Sequence, residues 1–262
     1  MPLTLATIEP GGDAEIFCAL QGEGLSAGQP SVFVRLSRCN LACRWCDTAY
    51  TWHFEGDERP HRSGQTHSRK ANQIALEESE VAARIAALGP RRLVVTGGEP
   101  LLQAGALATL LQLLRSSEGG SLSDGSPRRR GDAWHVEVET NGTVAPPPAL
   151  IERVDQWNVS PKLAHSGNGA ELALIPERLA EWAANERAWF KFVIASPADL
   201  DEVLALCADH AIAHDRVFLM PEGTDSATLR ERARWLEPLC LEHGFRFTDR
   251  LHIHLHGDTR GT

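Results

Sequence analysis

The sequence predicts an α/β fold, a six-stranded partial (β/α) barrel. Three observations predict it. Six short apolar, β-branched or aromatic segments recur after residue 30, helical patterns lie between them, and polar or Gly/Pro clusters follow successive strand ends. That alternation implies a parallel sheet with right-handed crossovers. An open doubly wound sheet is the second reading, and in either case ligands gather at the carboxyl ends of the strands.

The first strand, Ser31–Leu36 (SVFVRL), runs into a loop holding three cysteines. A helix over Leu76–Leu88 follows, with Val81, Ile85 and Leu88 on one face and Glu77, Glu78 and Glu80 in its early turns, where acidic residues suit the helix dipole. The second strand, Arg92–Thr96, leads into a strongly apolar helix over Ala104–Arg115. Trp134–Glu139, Gln156–Ser160, Trp189–Ile194 and Val217–Met220 complete the six strands. Between them lie a helical pattern over Pro176–Asn185 and a helix opened by Ser196 as cap and Pro197 at the first position. The last helix, Asp225–His243, stops at Gly244. Two polar segments, 55–72 and 116–132, read as surface insertions within a single domain spanning 1–262, because the alternation resumes after each.

Composition narrows the function. A net charge of −9 sets up a field that repels polyanions, which excludes general nucleic-acid binding. No apolar run approaches the ~18 residues of a membrane span, and no secretory leader is visible. Of six cysteines, Cys39, Cys43 and Cys46 are clustered, while Cys18, Cys207 and Cys240 are scattered through apolar stretches. A disulfide framework spreads its cysteines, so a cytoplasmic protein with a metal or reactive site is expected.

Three thiols on one short loop hold a soft metal centre. Structural zinc takes four protein ligands. His53, His61 and His67 follow the loop, so zinc stays open as an alternative. A 4Fe-4S cluster takes one ligand per iron, so three cysteines leave one iron for a chelating small molecule. Four strand ends carry further polar or Gly/Pro clusters: Thr96-Gly97-Gly98-Glu99-Pro100, Glu139-Thr140-Asn141-Gly142, Ser160-Pro161-Lys162 and Met220-Pro221-Glu222-Gly223. Glycines let backbone approach a ligand, and Glu99 is able to accept from an ammonium group.

The Cys-x3-Cys-x2-Cys spacing, with Trp45 before the last cysteine, resembles the cluster motif of radical S-adenosylmethionine enzymes. The wider pattern "LQGEG…VFVRLSRCNLACRWCDT", with "TGGEP", "ETNG", "SPK" and the tail "RLHIHLHGDTRGT", resembles the 7-carboxy-7-deazaguanine synthase family over most of the chain. The resemblance implies a reduced 4Fe-4S cluster on Cys39, Cys43 and Cys46 that splits S-adenosylmethionine to a 5'-deoxyadenosyl radical. It implies cofactor contacts at Gly97, Gly98, Glu99, Thr140, Asn141, Ser160, Lys162 and Met220. It also implies Mg2+ held by Thr48, a low-potential, flavodoxin-like reductase and a homodimer. The implied reaction contracts the ring of 6-carboxytetrahydropterin to 7-carboxy-7-deazaguanine with loss of ammonia. Substrate contacts are then expected at Leu20, Gln21, Glu23, Arg35, Thr96, Glu139, His252 and Thr262. Gln21 and Glu23 suit the amide and amino edge of a pterin, and Arg35 offers a fork to its carboxylate. His252, His254 and His256 recur at period two, which reads as an edge strand with one functional histidine. A glycyl-radical activase shares the cysteine spacing, but leaves "LQGEG", Arg35 and the terminal histidine without a role.

Overall fold

Alternation along the strands decides what faces the interior of this protein. The computed structural model describes residues 2–116 and 133–262. Within them the strands are β1 (Leu3–Ala6), β2 (Ile16–Leu20), β3 (Pro30–Leu36), β4 (Gln73–Leu76), β5 (Arg92–Gly97), β6 (His135–Thr140), β7 (Gln156–Val159), β8 (Ala188–Ile194), β9 (Val217–Pro221) and β10 (Arg246–Phe247). The helices are α1 (Arg69–Asn72), α2 (Glu78–Ala86), α3 (Ala104–Ser116), α4 (Pro148–Ile151), α5 (Ala170–Ala173), α6 (Pro176–Ala183), α7 (Asp199–Asp209), α8 (Ser226–His243) and α9 (Leu251–His256).

The sheet runs β10-β9-β8-β7-β6-β5-β3-β1-β4, with β2 pairing β3. From β3 through β5 to β10 every neighbouring pair is parallel, and each new strand adds on the same side. A doubly wound sheet reverses its order at a switch point; this one does not, so the partial-barrel reading holds. β1, β2 and β4 form an antiparallel flank on β3 that the sequence reading did not anticipate.

Residues at one parity of the parallel strands, among them Leu93, Val95, Val136, Val138, Trp157 and Phe190, form the core beneath the helices. Trp157 packs on Trp182 of α6 with ring centroids 5.0 Å apart. α3 buries Leu107, Leu110, Leu111 and Leu114, one helical stripe. The other parity, including Arg35, Glu137, Glu139, Asn158 and Lys191 together with Phe33, Val94 and Val193, points into the barrel, so the interior sets charged and amide groups among apolar walls. At its lower end Glu137 is held by Arg92, Gln156 and Asn158.

Two expectations are corrected. The tail is the helix α9, not an edge strand: a single turn and a half with Ile253 buried, in which His252 and His254 diverge. His254 bonds Ser226 and Asp249, both at 3.0 Å, and serves the packing of α9. α7 starts at Asp199, with Ala198 as the flanking residue. The Asp199 carboxylate accepts from the amides of Ala195 (2.8 Å) and Ser196 (2.9 Å), which makes Ser196-Pro197 a preceding turn. Segment 55–72 lies largely at the surface, as its polarity predicts, and packs on the cysteine loop. It ends in α1, and the His61 ring contacts the carbonyl of Cys46 at 2.8 Å while the Arg62 amide donates to the Arg44 carbonyl at 2.8 Å. The second segment lies outside the described residues apart from Ser116, which closes α3. α8 behaves as its sequence predicts: the Asp225 side chain caps the amides of Ala227 and Thr228, and Gly244 ends it at φ +71°.

Candidate active site

The loop after β3 carries Cys39, Cys43 and Cys46, all free thiols, and all three line one cavity at the carboxyl end of the barrel. The loop is fixed by backbone. The Gly98 amide donates to the Leu36 carbonyl (3.0 Å) and the Glu99 amide to the Arg38 carbonyl (2.8 Å). A Cβ on Gly97 would collide with the Leu36 carbonyl, and one on Gly98 with the Arg38 carbonyl. The two glycines therefore let the cysteine loop pack onto β5. Both also line the cavity, where the expected approach of a ligand to their backbone would take place.

Neutral amides approach the sulfurs. Asn168 Nδ2 lies 3.3 Å from Cys43 Sγ and Asn141 Nδ2 4.0 Å from Cys39 Sγ, while Thr48 Oγ1 is 3.5 Å from Cys46 Sγ. Burial pushes the Cys39 thiol up to about 12 and the Cys43 thiol up to about 11, and raises Cys46. Taking up a metal centre here therefore releases protons. Among the described residues no trio of His, Cys, Asp or Glu side chains converges on a single ion. A cubane asks instead for one thiolate per iron, and three soft donors with amide support fit it.

Every other sequence-predicted site residue lines the same cavity except Glu99. Glu99 is fully buried behind the wall. It accepts from the amides of Leu101 (3.0 Å) and Asn141 (2.7 Å) and from the Thr140 hydroxyl (2.9 Å), so it ties the tip of β5 to that of β6 rather than presenting itself to a ligand. Ser160 continues this rim: its amide donates to the Thr140 carbonyl at 2.8 Å, and Lys162 Nζ donates to its hydroxyl at 2.8 Å. Thr96, Met220, Leu20 and Thr262 add the remaining predicted walls.

The rest of the cavity is charged. Arg35 is anchored through Nε by Glu15 at 2.8 Å, and Tyr50 donates to the same carboxylate at 2.9 Å. Glu15 has no exposed surface, whereas Arg35 faces the cavity. Glu23 bonds Lys191 (2.6 Å) and Arg250 (3.1 Å), Lys191 also bonds Glu139 (2.9 Å), and Arg250 pairs with Asp47. Burial alone would raise the carboxyls of Glu23 and Asp47. Lys191 and Arg250 outweigh it at Glu23, as Arg250 does at Asp47, and both groups are held below the usual carboxylate range. Gln21 reaches Glu139 at 3.4 Å, and Asn158 reaches it at 3.1 Å. His252 packs on Gly22, where a Cβ would meet its ring, and burial lowers its pKa.

Sequence reasoning did not find Lys191 or Arg250. The signal for Lys191 was one cation inside the apolar strand WFKFVI, at the parity that faces the barrel. Arg250 stood two residues before His252 without a spacing rule to mark it.

A partial barrel with three thiols on the loop after its first parallel strand is the framework of a radical S-adenosylmethionine protein. The family model described as the Radical SAM superfamily matches residues 34–162. A 7-carboxy-7-deazaguanine synthase of Pyrobaculum aerophilum is 36% identical over 94% of this chain and 95% of its own. That of Halobacterium salinarum is 35% identical over 95% of this chain and 91% of its own. The chain belongs to the 7-carboxy-7-deazaguanine synthase family. The crystal structure of QueE from Escherichia coli superposes with a TM-score of 0.60 at 24% identity over 95% of both chains, a likeness of fold.

Proposed function

We propose that this enzyme converts 6-carboxy-5,6,7,8-tetrahydropterin to 7-carboxy-7-deazaguanine by radical ring contraction with release of ammonia, a step in deazapurine and queuosine biosynthesis. The observation that carries the reading is one cavity bordered by three free cysteines and by a matched set of polar groups for a carboxylated pterin. When bound, a reduced 4Fe-4S cluster on Cys39, Cys43 and Cys46, together with S-adenosylmethionine, supplies the hydrogen-abstracting radical. Arg35, fixed by Glu15, turns its guanidinium edge to the substrate carboxylate. Gln21, Glu23 and Glu139 hold the amino–amide edge of the ring, and a site built for those donors rejects rings that lack them. His252, with its pKa lowered by burial, stands 3.9 Å from Glu23 as a neutral partner for a ring nitrogen. Phe17, Phe33 and Trp52 line the cavity with apolar surface that excludes water from a reactive radical.

The reading includes Mg2+ at the Thr48 hydroxyl, an oxygen donor of the kind a hard cation takes, with Asp47 beside it. It also includes a flavodoxin-like or other low-potential reductase and a homodimer, which rest on the family resemblance, and a cytoplasmic setting, which rests on the clustered rather than spread cysteines. Among the described residues no helix is long and apolar enough to cross a membrane. One sheet and one core support a single domain along the chain.

The test is anaerobic incubation of the iron-loaded protein with 6-carboxytetrahydropterin, S-adenosylmethionine and a reductant. The aromatic product and ammonia are expected together. Cleavage of S-adenosylmethionine without either product overturns the substrate assignment.

A further inference from the structure

We infer that Lys191 is a positioning residue for substrate recognition: it is the shared counter-ion that lets Glu23 and Glu139 face the amino–amide edge of the ring as two carboxylates. The inference rests on the substrate reading above and deepens it.

Lys191 sits mid-strand in β8 with its ammonium group inside the barrel, 2.6 Å from Glu23 Oε2 and 2.9 Å from Glu139 Oε2, and the residue is 7% exposed. Both carboxylates line the cavity, as does Lys191 itself. Among the described residues Lys191 is the only cation in ion-pair reach of Glu139. The other oxygen of Glu139 receives only neutral amides, Asn158 Nδ2 and Gln21 Nε2. Glu23 has a second cation, Arg250, and His252 beyond it at 3.9 Å. The surrounding charges are already committed. Arg250 also serves Asp47, Arg35 is paired with Glu15, and Glu137, one step down β6, is paired with Arg92.

A pterin presents a 2-amino group and an N3–H side by side, so its edge needs acceptors. Two buried carboxylates with no cation between them take up one proton jointly. A protonated carboxyl then turns a donor toward the donors of the ring. Lys191 prevents that exchange without itself being the acceptor, which separates its role from theirs. The Arg92–Glu137 pair at the lower end of the barrel has the same chemistry but does not border the cavity, so it has no counterpart role.

The experiment compares Lys191→Met and Lys191→Arg with the wild type as iron-loaded enzymes. Lys191→Met is expected to raise the KM for 6-carboxytetrahydropterin about a hundredfold at neutral pH. That KM then falls as the pH is raised and the pair sheds its proton, while iron content and S-adenosylmethionine affinity stay at wild-type values. Lys191→Arg keeps a cation and is expected to restore most of the affinity. Without substrate, infrared difference spectra of Lys191→Met carry a carboxylic-acid carbonyl band that is absent from the wild type and disappears in Lys191→Met/Glu139→Gln. An unchanged KM, or a raised KM with no pH dependence and no carbonyl band, overturns the inference. If Lys191→Met does not fold, the double variant removes both charges and carries the test. It is expected to fold and show a pH-independent KM, and a pH-dependent one overturns the inference. A wild type that does not bind the pterin overturns the substrate reading instead, and the infrared comparison still decides whether Lys191 is the counter-ion.

Discussion

On the cofactor side of the cavity, contacts to the cysteine sulfurs come from neutral groups, the amides of Asn141 and Asn168 and the hydroxyl of Thr48. On the side assigned to the pterin, Glu23, Glu139, Lys191, Arg250, Asp47 and Arg35 are all charged and all paired. These neutral donors steady sulfur-borne charge without adding charge of their own, and fixed charge reaches the thiols from Lys162, which acts on Cys43, and Asp47, which acts on Cys46. Buried pairs cost desolvation, yet they present strong, oriented acceptors to a flat neutral ring. The charged partners are placed before substrate arrives, so discrimination on that side is a matter of pre-set geometry.

The largest way to break this comparison is at the cysteines. Cys43→Ala should abolish both cluster retention and S-adenosylmethionine cleavage, read as iron content and 5'-deoxyadenosine. Cleavage that persisted would detach the thiols from the chemistry. Next comes Arg35→Ala, which should leave the iron and S-adenosylmethionine binding intact while raising the pterin KM about tenfold to hundredfold. It should also lower the melting temperature, because fully buried Glu15 loses its guanidinium partner. Normal turnover by this variant would remove the carboxylate fork from the substrate side.

The smallest effect is an acid limb. Lys191 and Arg250 overcome burial to hold the Glu23 carboxyl below its usual range. Its contribution to stability is therefore complete above the unfolded value of about 4.3 and is lost as the pH falls through the depressed folded value. Melting temperature measured from neutral pH down to about 3 should fall less steeply in Glu23→Gln than in the wild type. Parallel slopes would show that the pairing adds nothing to the folded state.

Six of the seven parallel strands were legible because each is a run of apolar, β-branched or aromatic residues followed by turn chemistry, whereas β10 is only the pair Arg246–Phe247. β1, β2 and β4 fall outside that alternation: among the described residues no α-helix separates β1, β2 and β3, and β4 directly follows the polar segment. In the tail, alternating histidines mimic a strand. A six-residue helix holds too few apolar positions to show its own period, and docking of Ile253 with packing of His252 on Gly22 decides the matter. The cysteine loop could be read because metal ligands impose spacing. Lys191 and Arg250 could not, since their partners come from distant strands and loops that only the closed fold brings within reach.

Glu99, through its buried carboxylate, and the paired glycines before it, through main-chain contacts, join the tips of β3, β5 and β6 without any cavity-lining charge taking part. The radical-generating end is thus anchored independently of the groups that choose the ring. Modularity follows for one acceptor: Glu139 and its counter-ion Lys191 are exchangeable without touching the cysteine loop, whereas Glu23 is tied to that loop through Arg250 and Asp47, so an engineered change of substrate begins on β6 and β8.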